Sequence, residues 1–348
     1  MIKPNPLPLN LRASVIIPAY NAEEVLPRCL RALEHQTVPQ DQYEVIVIDD
    51  GSADSTAELA KAGGALVLKL NHVGPAAARN AGAELARADI IVFTDADCEP
   101  MPDFLERILE PFDAPVVSGA RGVYRTQQKS MVARFIQLEY EERYHRIARV
   151  EAEQGTVDAL DTSYAAYRRD VFLDAGGFDA RYLSAAVEDH ELSYRLAHEG
   201  HVFRFVPAAA VYHWHVDSVK KYARRKFRIG YWKAFLTKQQ PDYALNDAHT
   251  TQSLKVQILL AALMPFALIL WPFWPMAGWI ALALALIFLI SAIPLIRLIY
   301  QRDAPVLLIT LPMLLVRAYA SGLGFFWGLI HGPAESPQKA PILRTGPQ

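Results

Sequence analysis

From Val256 to Ile296 the chain runs 41 residues without an Asp, Glu, Lys or Arg. Of these, 34 belong to the hydrophobic class. A helix needs about 20 apolar residues to span a bilayer, so this block predicts two spans. Trp271-Pro272-Phe273-Trp274-Pro275 reads as the hairpin between them, because proline ends helices and tryptophan suits the membrane interface. A third apolar stretch, Ala304 to Ile330, is broken by Arg317, which is costly at mid-membrane. It is therefore expected either to span or to lie tilted, re-entrant or packed on protein.

These stretches account for the 52% hydrophobic composition of the 348 residues. Without them the composition falls to roughly 46%, ordinary for a globular domain. The formal charge of −2 excludes a global basic field that would recruit nucleic acid. Two cysteines, Cys29 and Cys98, form neither a disulfide framework nor a four-thiolate zinc site. Met1 to Asn10 carries three prolines and no apolar run, so it does not read as a secretory signal, and the N-terminal part is expected in the cytosol. Nine basic and three acidic residues between Val216 and Lys255 place the segment before the first span on the cytoplasmic side.

The expected organisation is a catalytic domain over 1–215 and a basic interfacial segment over 216–253. A membrane region follows over 254–330, with spans near 256–274, 277–296 and 305–330, then a tail over 331–348. If the third stretch spans, the C-terminus lies outside. In the basic segment, Lys220 to Lys233 interleaves cations with aromatic rings, a pattern suited to anionic headgroups.

Short β-branched runs at Ser14–Pro18, Tyr43–Asp50, Ala65–Leu70 and Asp89–Phe93, with a weaker one at Val116–Ala120, predict strands. Helical patterns lie between them at Ala22–Gln36, Asp54–Gly63, Pro75–Ala86 and Pro102–Glu110. This alternation predicts an α/β domain with a mostly parallel sheet and crossover helices. Ligands of such sheets bind beyond the strand carboxyl ends. Those ends are polar here: Ala19-Tyr20-Asn21, Asp49-Asp50-Gly51-Ser52, Asn71-His72-Val73-Gly74 and Thr94-Asp95-Ala96-Asp97. Neither a G-x-G-x-x-G nor a P-loop pattern is present.

Asp95 and Asp97, two apart at the end of an apolar strand, can face one hard cation such as Mg²⁺ or Mn²⁺. Glu188-Asp189 opens a helical segment. There it either complements the helix N-terminus or supplies a base for an acceptor hydroxyl. Of His213 and His215, one is expected to face the rim, where it could complete a metal site begun by Asp97. Cys98 reads as a small packing residue.

Taken in order, Ser14 to Asn21, Asp49 to Ser52, Gly74 to Asn80, Thr94 to Asp97, Gly176 to Asp179, and Glu188-Asp189 with Arg195 resemble the family 2 glycosyltransferases over about residues 12–235. The resemblance implies a GT-A fold and inverting transfer from a nucleotide-sugar donor. It implies that Tyr20, Glu23 and Asp50 line the base and ribose pocket and that Arg79 contacts the nucleotide. Asp95, Asp97 and His213 would serve the metal, Asp189 with Glu188 would act as base, and Arg225 and Arg228 would face the diphosphate. The implied cofactor is Mg²⁺ or Mn²⁺. The expected partners are the membrane and a lipid-linked or glycan acceptor, with no nucleic acid and no indication of oligomeric state. A multi-pass protein of the cytoplasmic membrane follows from this. Two alternatives are a processive polysaccharide synthase and a silent membrane-anchored assembly subunit. The first is disfavoured because Ile229 follows Arg228 where processive members carry Trp. The intact Asp95, Asp97 and Asp189 set argues against the second.

Overall fold

The computed structural model describes residues 11–157, 159–182, 187–239 and 251–332. The segments 1–10 and 333–348, and residues 240–250 of the expected basic segment, lie outside it. The chain divides into two compact units. The first holds 11–127 and 146–214, and the second holds 128–145 and 215–332.

The first unit is built on eight strands: β1 (Ala13–Ala19), β2 (Tyr43–Asp49), β3 (Leu66–Lys69), β4 (Ile90–Thr94), β5 (Cys98–Pro100), β6 (Val117–Arg125), β7 (Tyr164–Arg168) and β8 (Val202–His213). Their order across the sheet is β3-β2-β1-β4-β7-β6-β8-β5. The first four are parallel, as the strand–helix alternation predicts. Beyond β4 the sheet is mixed: β7 runs antiparallel to both β4 and β6, β6 and β8 are parallel, and β5 is antiparallel to β8. The parallel half reads clearly because each strand is a continuous apolar run feeding its own crossover helix.

Those helices are α1 (Leu26–Glu34), α2 (Thr56–Ala62), α3 (Pro75–Leu85) and α4 (Phe104–Leu109). The 24-residue α5 (Met131–Gln154) follows, then α6 (Arg169–Asp174) and α7 (Glu188–His198). Pro75 starts α3 at a position where its missing N–H costs nothing. Gly82 lets α3 lie directly on the sheet, since a Cβ there would sit 2.4 Å from Ile16 Cγ2. An aromatic cluster of Phe93, Tyr167, Phe172 and Phe178 fills the space beside β4 and β7. The boundary between the units falls inside α5, between His145 and Arg146, rather than at residue 215 alone.

The second unit is helical: the first part of α5, α8 (Val219–Gln239), α9 (Gln252–Leu270), α10 (Pro275–Asp303) and α11 (Leu307–His331), with a single 3₁₀ turn at Ala304–Val306. The Trp271–Trp274 hairpin falls where its prolines predict. Among the described residues two stretches are long and apolar enough to cross a membrane, Gln252–Leu270 and Pro275–His331. α10 continues seven residues past the expected end at Ile296, and at its last residue Asp303 accepts from Arg134 Nε at 2.7 Å. Phe135, Ile136 and Leu138 of α5 join Tyr222, Leu260, Phe288, Leu295, Ile299 and Leu314 in one apolar core.

Candidate active site

The loops after β1 and β2 are laced together. Asn21 takes a left-handed conformation (φ 47°), its N–H donates to Ser52 Oγ at 2.9 Å, and its side-chain oxygen accepts from Ala53 N at 2.9 Å. Glu23 Oε2 accepts from Ser55 N at 3.1 Å. This holds Tyr20 at the rim, 50% exposed, with its ring 4.3 Å from that of His72. Asp50 is buried and accepts from the amides of Val73 (2.7 Å) and Gly74 (2.9 Å). It therefore fixes the turn that launches α3.

Arg79 of α3 is 2% exposed. Its Nη2 donates to Asp95 Oδ1 at 2.7 Å and its Nη1 to Glu188 Oε1 at 3.1 Å. The second oxygen of Asp95 accepts from Ser163 Oγ. Arg79, expected at the nucleotide, thus braces two carboxylates of the site. Burial alone would raise the Asp95 carboxyl, but Arg79 and Ser163 outweigh it and hold it below its ordinary value. Asn80, next along α3, grips the following loop: its amide oxygen accepts from Phe178 N at 2.9 Å and its Nδ2 donates to Phe178 O at 2.8 Å. Arg195 of α7 holds the same loop through Gly177 O at 3.0 Å.

Asp97, 44% exposed, meets His213 at the end of β8, with Nε2 3.8 Å from Oδ2. The His213 ring packs on Tyr124 at 4.3 Å. Cys98 pairs directly with His213 across β5 and β8. Ligand atoms of Asp97, Cys98 and His213 all lie within 4.8 Å of one another. Burial, then Asp97 and Asp95, push the Cys98 thiol up, so it stays neutral. The carboxylate and imidazole are thus the donors that suit a divalent cation. β8 ends at His213, so strand alternation does not carry on to His215. His215 instead pairs its Nε2 with Gln137 Oε1 at 3.0 Å in the second unit.

Asp189 stands in the first turn of α7 beside Glu188. Thr162 N donates to its Oδ2 at 3.4 Å, and Asp161, Asp189 and His190 converge within 4.8 Å. Burial, then Glu188 and Asp161, push its carboxyl well above the usual aspartate range, with only partial relief from Arg79. Asp161 is held in turn by fully buried Arg121 and by Tyr164 OH at 2.6 Å. Ser163 and Arg121 escape sequence reasoning. Ser163 lies in a segment that reads only as a turn, and Arg121 shows only as a cation immediately after the weak apolar run Val116–Ala120. Arg225 and Arg228 lie on α8 of the second unit, where Arg225 Nη2 donates to Tyr140 OH at 3.1 Å.

Residues 14–176 match the family model described as glycosyl transferase family 2. The pre-mycofactocin glycosyltransferase of Mycobacterium tuberculosis is 30% identical over 241 residues, covering 68% of this chain and 49% of that protein. The undecaprenyl-phosphate 4-deoxy-4-formamido-L-arabinose transferase of Pseudomonas aeruginosa is 37% identical over 114 residues, covering 30% of this chain and 33% of that protein. The chain thus spans no more than half the length of these curated relatives. A mannosyltransferase from Pyrobaculum calidifontis, solved with GDP-Man and Mn²⁺, has the same fold. It superposes with a TM-score of 0.57 at 20% identity, covering 93% of this chain and 89% of that one.

Proposed function

We propose, from the match of residues 14–176 to the glycosyl transferase family 2 model, that this chain moves a sugar from a nucleotide-diphosphate donor to a lipid-linked or cell-envelope acceptor with inversion. The observation that carries this reading is one chain of contacts. Asp95, two residues from the Asp97–His213 pair, joins through Arg79 to Glu188, and Glu188 adjoins Asp189. The residues suited to the departing diphosphate and the residue suited to the attacking oxygen are therefore held by one buried brace.

Tyr20, with His72 against it, offers an exposed ring for the nucleobase, while Glu23 and Asp50 shape the loops around it. Asp189 takes the proton from the acceptor hydroxyl or phosphate. The acceptor oxygen then bonds to the anomeric carbon as the bond from that carbon to the diphosphate oxygen breaks, and the electron pair leaves with the nucleoside diphosphate. A single displacement inverts the centre and needs no enzyme nucleophile. Mg²⁺ or Mn²⁺ held by Asp97 and His213, with Asp95 behind them, would supply positive charge for the diphosphate. Two apolar stretches long enough to cross a membrane, and a basic α8 before them, support a lipid-linked acceptor reached from the cytoplasmic face.

The test is Asp189→Asn assayed with a nucleotide-sugar panel and membrane lipid extract. Donor binding is expected to persist while transfer falls about 10²–10⁴-fold, the usual size of a lost general base. Undiminished transfer by the variant would remove Asp189 from the reaction.

A further inference from the structure

The apolar helix α11 carries Arg317 in its middle, and the second unit contains the reason it is tolerated. Arg317 Nη1 donates to Glu139 Oε1 at 2.8 Å, and its Nη2 donates to Gln257 Oε1 at 2.7 Å. Glu139 also takes Tyr222 OH at 2.8 Å and the Lys226 ammonium at 3.3 Å. Burial would raise the Glu139 carboxyl, but Lys226 and Arg317 outweigh it and hold it at about 2. A carboxylate from α5 and a cation from α8 therefore reach the midpoint of α11.

From that midpoint onward α11 lies against α8. Gly324 meets the backbone of Phe227, where a Cβ would sit 2.0 Å from its carbonyl oxygen. Gly328 meets Tyr231 in the same way, at 2.5 Å, and Gly230 meets Ser321 at 2.3 Å. Further on, Tyr231 OH donates to Gly332 O, and Lys238 Nζ donates to Leu329 O at 2.6 Å. Gly230–Ser321 advances to Lys238–Leu329 and Phe227–Gly324 to Tyr231–Gly328, so along each row of contacts the two helices run side by side in the same direction. Ser321, Gly324 and Gly328 of α11 are thus used by α8, while Gly322 faces Ile258 of α9.

α8 cannot follow α11 through a bilayer. Its 21 residues include Lys220, Lys221, Arg224, Arg225, Lys226, Arg228, Lys233 and Lys238 and no acidic residue. Lys220, Lys221, Arg224, Arg228 and Lys238 are exposed. A cationic face of this kind belongs at anionic headgroups. On α11 the outward residues Leu323, Phe326, Trp327 and Ile330 are more than half exposed and apolar, with Trp327 suited to the interface.

We infer that α11 does not complete a third crossing. Residues 317–331 form with α8 a two-helix unit seated on an anionic leaflet, basic on α8 and apolar on α11. The end of α11 stays on the side of the membrane that holds α8. The inference rests on the membrane reading proposed above and replaces the expectation of an outside C-terminus.

The test uses the full chain in a bacterial inner membrane. It is fused at its C-terminus to a fluorescent protein that matures only in the cytoplasm, or to alkaline phosphatase, which is active only outside. Fluorescence with background phosphatase activity is expected. Phosphatase activity equal to an external control, without fluorescence, overturns the inference. Phe273→Cys, in the turn between α9 and α10, checks the membrane reading separately. Labelling by an impermeant maleimide in intact spheroplasts is expected. Absence of that label means the hairpin does not cross, and the membrane reading falls together with the inference.

Discussion

Arg79 holds Asp95 and Glu188 with separate nitrogens of one guanidinium, at 2.7 and 3.1 Å. A lysine presents a single point charge and cannot span both. Removing one partner from a buried ion pair typically costs about 3–5 kcal/mol. Arg79→Ala is expected to lower thermal stability by an amount of that order. Arg79→Lys should keep more of the stability and still lose transfer. Thermal melting and activity of both variants separate the two effects. Asp189 gives a second expectation at this scale. A base must be ionised, and burial with Glu188 and Asp161 raises its pKa. Raising it moves the acid limb of kcat/KM upward, so activity should fall while the pH is still above the ordinary aspartate range of about 3.9. Asp161→Asn removes one raising charge and should extend activity to lower pH. A limb unmoved by that change would separate Asp161 from the titration. Asp189 itself is legible from its place at a helix start. Arg121 and Ser163 are not, because their meaning depends on partners 40 and 68 positions away.

Among the elements, the loop at 176–178 couples α3 to α7. Gly177 sits at φ +66°, where a side chain is strained, and a Cβ would lie 2.5 Å from Asn80 Oδ1. Asn80→Ala strips partners from the backbone of Phe178, whose side chain is buried. An unmade buried hydrogen bond costs about 1–3 kcal/mol. The variant should therefore melt lower and lose activity while keeping the wild-type pH limb, because its role is to place α7 rather than to tune Asp189. A pH profile recorded beside the melting curve makes that distinction. The first four strands are legible as apolar runs ending in polar turns. β7 is harder: Tyr-Ala-Ala-Tyr-Arg lacks β-branched residues and is a strand because β4 and β6 flank it. α5 is harder still, because its buried residues face one partner set in its first half and its charges mask the pattern.

For the whole molecule, the formal charge of −2 hides a strong separation, since α8 alone carries eight basic residues and no acidic one. The Asp97–His213 pair makes the reaction dependent on a divalent cation under the proposed function. EDTA should abolish transfer, and Mn²⁺ or Mg²⁺ added back should restore it. The Asp97→Ala variant should not recover at the same metal concentration. Full turnover in EDTA would strike out the metal. The apolar block that makes the hairpin legible says little about Arg317, because the carboxylate that accepts it lies 178 residues earlier in the chain.

The boundary inside α5 has a practical side for anyone cutting the protein. A chain ended after Trp214 looks like a tidy soluble enzyme, yet it keeps residues 128–145 without the helices that cover them. Phe135, Ile136 and Leu138, all nearly fully enclosed in the intact molecule, would then face water as a sticky ridge. Such a fragment should aggregate on purification. Replacing those three positions with polar residues, and not trimming the tail further, is the change that should keep it in solution.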